Sequence, residues 1–259
     1  MSAAKKTVML YHRSYRIIDG SVWVVLLQIL LLVLPISLGS VFFYPEITNA
    51  LCQLAHDILS PHYPTGSIYV AEAQFISFLD DYSYLHLPST YPTYTFSLIN
   101  AIVCILLLIL LPRIEIGKPF LIFILMVAFI HLTSALFFLI APDKFPYDTT
   151  EYSRLYILQQ ISIGFFVPLI MGMAVMPLPS PLILRCLVVW STYFYSLLFN
   201  FLRYIVFLYL LDVSSLLFMA VLYFIMGPLV DFVYITGIYS LFLSGVAKDM
   251  RGDSGAWRW

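Results

Sequence analysis

The stretch "LILRCLVVWSTYFYSLLFNFLRYIVFLYLL", residues 182–211, decides the fold class of this chain. It carries only two charged side chains, Arg185 and Arg203. A helix of about 20 apolar residues is enough to cross the hydrocarbon layer of a bilayer. The composition of the whole chain agrees, because its 259 residues are 62% apolar and 10% charged, with a mean hydropathy of +0.95. Ordinary soluble domains are about half apolar and about a quarter charged, so the sequence predicts an integral membrane protein.

Six stretches are apolar and long enough to span a membrane, and we predict an all-α membrane protein with about six transmembrane helices. The predicted spans cover residues 21–43, 95–111, 120–141, 155–176, 182–211 and 214–245. Together they form one membrane domain, residues 21–245, between a basic N-terminal segment (1–20) and a C-terminal tail (246–259). The first span is longer than the apolar part of a signal peptide, so we expect it to be retained.

The distribution of Lys and Arg orients these spans. Residues 44–94 contain five acidic side chains and no Lys or Arg. Basic residues instead lie before the first span, between spans two and three, and at the end of the chain: Lys5, Lys6, Arg13, Arg16, Arg113, Lys118, Lys248, Arg251 and Arg258. Because loops rich in Lys and Arg stay in the cytoplasm, we predict that both termini are cytoplasmic. The protein is then expected in the inner (cytoplasmic) membrane, with residues 44–94 as one large structured extracytoplasmic loop.

Within this loop, "PEITNALCQLAHDIL" (45–59) has apolar residues at helical spacing and predicts a helix lying on the membrane or bundle. A second short helix is an option within "GSIYVAEAQFISFLDDY" (66–82). "YSYLHLPSTYPTY" (82–94) is rich in aromatic residues and proline, which predicts an extended lid. The aromatic side chains of the loop fit either interfacial anchoring or a lip that binds a partner.

Three ionisable side chains lie well inside predicted spans, namely His131, Arg203 and Asp231, and such residues are costly enough to be functional candidates. Arg185 and Arg203 are about 27 Å apart along a helix, so each of them could extend to one membrane surface. However, two more apolar turns follow Arg203. These turns would project out of the membrane into water unless the outer loop packs on them. In that case Arg203 is buried and needs hydrogen-bond acceptors.

Three consecutive spans bring polar side chains to the level of Arg203, which predicts an outward-facing polar pocket. Asn200 lies one turn before Arg203, and the Gly227-Pro228 break in the last span frees backbone carbonyls. The candidate pocket residues are Gln160, Asn200, Arg203, Tyr223 and Asp231. We expect the pocket to hold an anionic group of a partner, of a substrate, or of this chain's own Glu151 or Asp231. For Asp231, pairing with His131, pairing with Arg203 through an intermediate group, and protonation all remain open.

Residues 155–245 resemble the exosortase/archaeosortase family through three short motifs. The N-x-x-R motif of that family matches Asn200-Phe201-Leu202-Arg203. Gln160-Ile161-Ser162-Ile163-Gly164 stands at the distance expected for the cysteine motif, and Tyr223-Phe224-Ile225-Met226-Gly227 at that of the histidine motif. The resemblance implies a multispanning protein with a site on the outer face, in a family proposed to act as cysteine transpeptidases on C-terminal sorting signals.

The departures from the family fall on its chemistry, because Ser162 stands at the cysteine position and Tyr223 at the histidine position. A serine nucleophile needs a neighbouring base, and tyrosine, with a reference pKa of about 10, is a poor base at neutral pH. If Ser162, Arg203 and Tyr223 are the family's site residues, the resemblance implies a relative that is non-catalytic or uses altered chemistry.

Cys52 and His56 form one further candidate pair, since residues four apart share a helix face and could act as nucleophile and base. Three loop histidines, His56, His62 and His86, lie near acidic residues, but their spacing fits no standard metal site. We expect no metal and no cofactor. The expected partners are the lipid bilayer and other membrane proteins, and no nucleic acid.

Three functions fit these observations. The leading hypothesis is a membrane subunit or scaffold, exosortase-like but non-catalytic, in a secretion or envelope-biogenesis complex such as one exporting polysaccharide or protein. The second is a transpeptidase or protease on the outer face, with Arg203 binding a carboxylate or an oxyanion. The third is a small proton-coupled transporter that uses Asp231 and His131, although the sequence has no visible inverted repeat.

Overall fold

The computed structural model describes residues 22–74, 80–114, 117–176, 178 and 180–249. The predicted N-terminal segment 1–20 and most of the predicted tail lie outside these residues. Six helical stretches among them are long and apolar enough to cross a membrane, which confirms the prediction of a multi-pass, mainly helical membrane protein. The elements are α1 (Val22–Leu59), β1 (Tyr69–Gln74), β2 (Asp81–His86), α2 (Tyr94–Leu110), α3 (Lys118–Ile140), α4 (Thr149–Val175), α5 (Leu182–Ser214), α6 (Met219–Phe224) and α7 (Val230–Asp249).

The first helix corrects the predicted boundary between a span ending at residue 43 and a separate loop helix. α1 runs unbroken for 38 residues through Pro35 and Pro45, about 57 Å at 1.5 Å per residue. Its second half stays helical because a stripe of side chains at helical spacing packs against the bundle: Tyr44, Thr48, Cys52, Ala55 and Leu59 are all buried. This packing outweighs the one backbone hydrogen bond that a proline removes.

Residues 69–74 and 81–86 form two strands, where a second short helix was an option within residues 66–82. β1 and β2 pair in antiparallel register from Tyr69 opposite His86 to Gln74 opposite Asp81. The prediction of an all-α fold therefore holds for the long apolar helices but leaves out one hairpin. Most of the connection between its strands lies outside the described residues. After β2 the chain is non-helical as far as Thr93, as the extended-lid prediction requires. Thr93 then caps α2, its side chain accepting the Phe96 N–H at 3.3 Å.

Two buried clusters hold the bundle together, one at each end. The first combines the second half of α1, β2, the beginning of α4 and the end of α5. The second combines the first half of α1 with the end of α4, the beginning of α5 and, at its margin, α7. Gly172 in α4 allows α1 to approach closely, since a Cβ added there would lie 2.5 Å from Cγ2 of Val33.

The last span is interrupted as the Gly227-Pro228 pair predicts. A π-helical turn, Ile225–Leu229, separates α6 from α7. Proline has no N–H to donate to the preceding turn, so the hydrogen-bond ladder loosens there and leaves carbonyl groups for other donors.

Candidate functional site

Arg203 lies buried on α5, with only 6% of its surface exposed. Its Nη1 donates hydrogen bonds to the backbone carbonyls of Met226 (2.8 Å) and Gly227 (2.9 Å). Its Nη2 donates to the side-chain oxygen of Asn200 and, at 2.7 Å, to Oδ1 of Asp231. The guanidinium is thus held by three elements of its own chain: α5, the π-helical turn and α7.

The π-helical turn explains why Arg203 finds these acceptors. The ladder of backbone hydrogen bonds shifts at this turn, and the carbonyls of Met226 and Gly227 there accept from the guanidinium. The Gly227 carbonyl also accepts the Val230 N–H. Gly227 also keeps the turn close to α4, because a Cβ added there would lie 3.4 Å from Nε2 of Gln159. Asp231 follows in the first turn of α7 and supplies the negative charge. We call Arg203, Asn200, Asp231 and the Met226 and Gly227 carbonyls the arginine clasp.

A chain of polar side chains continues from the clasp toward the second cluster. Asn200 donates to the Ser196 hydroxyl at 3.2 Å, and the Tyr234 hydroxyl donates to the same oxygen at 2.6 Å. The ring of Phe199 lies under the guanidinium, with its centroid 5.0 Å from Cζ of Arg203, close enough for a cation–π attraction. These contacts tie α5 to α7 at several levels.

The clasp answers the question of what Arg203 pairs with. Of the anionic groups considered, its partner is Asp231, in direct contact rather than through an intermediate group. Glu151 is engaged elsewhere, since it receives two hydrogen bonds from Arg154 on the same helix. His131 is hydrogen-bonded to Asn100 at 3.1 Å and packs on Phe218, so it does not pair with Asp231.

Two further candidate residues make contacts outside the clasp: Ser162, at the family's cysteine position, and Tyr223 of the predicted pocket. The Ser162 hydroxyl is exposed and donates to the Leu158 carbonyl of its own helix at 3.0 Å. Tyr223 is half-buried, and its ring packs edge-on against Tyr152 with the centroids 6.2 Å apart. Among the described residues, neither Ser162 nor Tyr223 makes a hydrogen bond to the guanidinium.

Gln160 and Asn200 line a different space, an apolar cavity of about 410 Å³ between α1, α4 and α5. Both polar atoms of the Gln160 amide are buried without a hydrogen-bond partner among the described residues. Arg203 and Asp231 are not part of this lining. The predicted pocket is therefore divided between a closed clasp and this neighbouring cavity.

The Cys52–His56 pair is also separated in the structure. Cys52 is fully buried, and its Sγ donates to the Ser83 carbonyl at 3.3 Å. His56 instead lies against Asp57, with Nδ1 to Oδ1 at 3.4 Å. Within the described residues, no group of three or more His, Cys, Asp or Glu side chains has the geometry to hold a metal ion.

Sequence reasoning missed the residues that hold the hairpin on the bundle. The Leu85 N–H donates to both the Ser153 hydroxyl and the Tyr204 hydroxyl, each at 3.1 Å. The Ser83 N–H donates to Thr48 at 3.2 Å, and the Leu87 N–H to Thr150 at 3.3 Å. Thr48 and Tyr204 lie in predicted helices, but Thr150 and Ser153 precede the predicted span 155–176. No sequence pattern sets these hydroxyls apart from the many others in the chain.

Tyr82 anchors the same strand, with only 1% of its surface exposed. Burial raises the pKa of Tyr82 above its usual value, and this effect exceeds the opposing one of the Arg154 charge. The phenol is therefore neutral at physiological pH.

In comparisons with known proteins, no family model, curated protein or solved structure matches the chain.

Proposed function

We propose that this chain is a non-catalytic, multi-pass membrane subunit that presents its hairpin to a partner protein on the outer side of the membrane. The observation that carries the proposal is the arginine clasp. Arg203 is the residue best suited to bind a substrate carboxylate, yet its Nη1 and Nη2 atoms are occupied by Asp231, Asn200 and two carbonyls of the same chain. A guanidinium in this setting stabilises the packing of α5 on α7, and only its Nε–H, which is buried, is left without a hydrogen-bond partner among the described residues.

The position of Ser162 supports the same proposal. A serine nucleophile needs a base within hydrogen-bond reach, and the Ser162 hydroxyl donates to a backbone carbonyl of its own helix. Activation of Ser162 by Tyr223 would need a hydrogen bond between the two side chains, and the described residues contain none. Placement in a secretion or envelope-biogenesis complex rests on the resemblance to exosortases.

The orientation belongs to the proposal as well. With most Lys and Arg residues before the first span, between spans two and three and at the end of the chain, the positive-inside rule puts the hairpin outside and both termini in the cytoplasm. The long second half of α1 then lifts the hairpin above the hydrocarbon layer.

A fluorophosphonate probe tests whether the chain is an enzyme, because such probes label serines that are activated as nucleophiles. We expect no labelling of the purified protein in mild detergent, with an unrelated serine hydrolase as positive control. Labelling at Ser162 that disappears in Ser162→Ala would overturn the non-catalytic proposal in favour of the outer-face hydrolase or transpeptidase.

Cross-linking in native membranes tests the role as a subunit. After mild cross-linking, we expect the tagged chain in a complex larger than its own 29.7 kDa, with defined other proteins. If the chain migrates as a monomer both with and without cross-linking, the subunit proposal is contradicted.

A further inference from the structure

We infer that the outer edge of β1 is a docking edge for an extended, basic segment of a partner protein, which adds a third strand to the hairpin. This inference rests on the proposed role as a subunit and specifies its partner. It follows from where the backbone groups of the two strands point.

The outer edge of β2 is already occupied by the helical bundle. The N–H groups of Ser83 and Leu85 donate to hydroxyls of α1, α4 and α5, so both point away from β1. In an antiparallel ladder, residues alternate between pairs that exchange hydrogen bonds and pairs that do not. Ser83 and Leu85 therefore belong to pairs of the second kind.

The register transfers this assignment to β1. Ser83 lies opposite Glu72 and Leu85 opposite Val70, so Val70 and Glu72 also direct their N–H and C=O groups away from the partner strand. Gln74, two residues after Glu72, directs its backbone groups the same way. In the part of the chain that the structure describes, no hydrogen bond reaches the backbone of these three residues from that edge. The outer edge of β1 is thus a row of unpaired donors and acceptors about 20 Å long.

Strands with such edges usually carry features that prevent pairing with another chain, such as lysine, proline or a bulge. The sequence of β1, "YVAEAQ", contains neither lysine nor proline, and its ladder is regular along all six residues. The edge is therefore open to an added strand, a common mode of peptide recognition.

Charge favours a basic partner segment. Glu72 is exposed in the middle of β1, and residues 44–94 carry five acidic side chains and no Lys or Arg. An added strand with Lys or Arg opposite Glu72 would form the opposite-charge pair that stabilises neighbouring strands. An acidic strand would be repelled.

The hairpin is also prepared for binding, because β2 is fixed to the bundle before any partner arrives. Tyr82 and Leu85 are buried and Leu85 is hydrogen-bonded to two helices. A rigid template loses little conformational freedom on binding, so the added strand bears most of the ordering cost.

The test uses synthetic peptides and the full chain in mild detergent. The probe is a blocked hexapeptide of alternating Lys and Val, and its control is the matching peptide of alternating Glu and Val. We expect saturable binding of the basic peptide, at least tenfold tighter than that of the acidic peptide. Infrared spectra with ¹³C-labelled peptide carbonyls should show strand formation on binding. Equal binding of both peptides, or binding without strand formation, would overturn the inference.

Backbone specificity is tested on the protein by Glu72→Pro, which removes an outward N–H while the β1–β2 hydrogen bonds remain. We expect it to lower peptide affinity at least tenfold, whereas Glu72→Gln, which removes only the charge, should lower it a fewfold. Unchanged affinity in a folded Glu72→Pro variant would contradict the docking edge.

Should Glu72→Pro fail to fold, N-methylated peptides give the same test on the wild-type chain. Methylating the alternate amides of one peptide edge should abolish binding when that edge faces β1. Methylation of only the amides on the other peptide edge, which faces away from β1, should be tolerated. If neither pattern reduces binding, the peptide does not pair with β1. Each of these results is independent of fluorophosphonate labelling and of complex size, so failure of the docking edge is distinguishable from failure of the proposed function.

Discussion

At the scale of single residues, the arginine clasp shows how an ionised side chain is accommodated within an apolar bundle. A charged group inside a membrane protein needs a counter-charge and hydrogen-bond partners. Arg203 obtains both from Asp231, Asn200 and the carbonyls of a loosened turn. The sequence predicted that Arg203 is either buried or extended to the surface, and the structure decides for burial.

Removing one member of the buried ion pair leaves the other charge uncompensated. We expect Arg203→Ala and Asp231→Ala each to lower the free energy of unfolding by about 3 kcal/mol. Thermal unfolding of the purified variants in one detergent measures this effect. An Arg203→Met, Asp231→Leu double variant should recover much of the loss, because apolar residues of similar volume can replace a buried ion pair.

The half-buried Arg154–Glu151 pair provides a comparison nearer the surface, since one helical turn separates its members and 40% of the Arg154 side chain is exposed. Arg154→Ala should cost no more than about 1 kcal/mol. If Arg203→Ala proves as mild as Arg154→Ala, the guanidinium is not a structural clasp and a binding role regains support.

At the scale of elements, close approach of α1 and α4 depends on a position without a side chain. Gly172→Ala would place a methyl group 2.5 Å from Val33, which forces the two helices apart. We expect a loss of about 1–3 kcal/mol, the usual cost of overpacking, as a lower melting temperature.

Gly164 on the same helix is the control for this prediction. A Cβ there would lie 4.0 Å from the Tyr193 ring, an ordinary contact, and alanine is the better helix former. Gly164→Ala should therefore be neutral or slightly stabilising. Equal effects of the two substitutions would mean that the contact at Val33 does not limit helix packing.

The docking of the hairpin depends on the buried Tyr204 hydroxyl. Tyr204→Phe removes a partner of the Ser153 hydroxyl and of the Leu85 N–H, and an incompletely satisfied buried group costs about 1–3 kcal/mol. We expect faster amide hydrogen exchange in β2, measured by mass spectrometry, with little change in α2 and α3. Tyr209→Phe, at a side chain that is 42% exposed, should leave the exchange of β2 unchanged.

At the scale of the whole molecule, the predicted orientation can be tested with one cysteine on each side. Thr65→Cys lies in the connection between α1 and β1, and Gly117→Cys lies just before α3, where an added Cβ meets no atom within 4 Å. In a background without native cysteines, we expect a membrane-impermeant maleimide to label Thr65→Cys in intact cells. Gly117→Cys should react only after permeabilisation, and the reverse pattern would invert the topology.

The sequence alone determined the class of this protein and the approximate limits of its later helices, since apolar length is a local property of the chain. It also identified Arg203, Asn200 and Asp231, because polar residues stand out within apolar spans. It could not pair Arg203 with Asp231, which lie 28 positions apart, or place Ser162 away from them, because helix rotation depends on packing.

Only the tertiary structure decided how residues 44–94 pack onto the bundle. α1 continues past Pro45 because the bundle buries one of its faces, and "YSYLHL" forms a strand because hydroxyls of three helices receive its outward N–H groups. The local pattern predicted the helix over residues 45–59, but neither its continuity with the first span nor the strand could be predicted from residues 44–94 alone. Both arise from partners that are distant in sequence and meet only in the folded bundle.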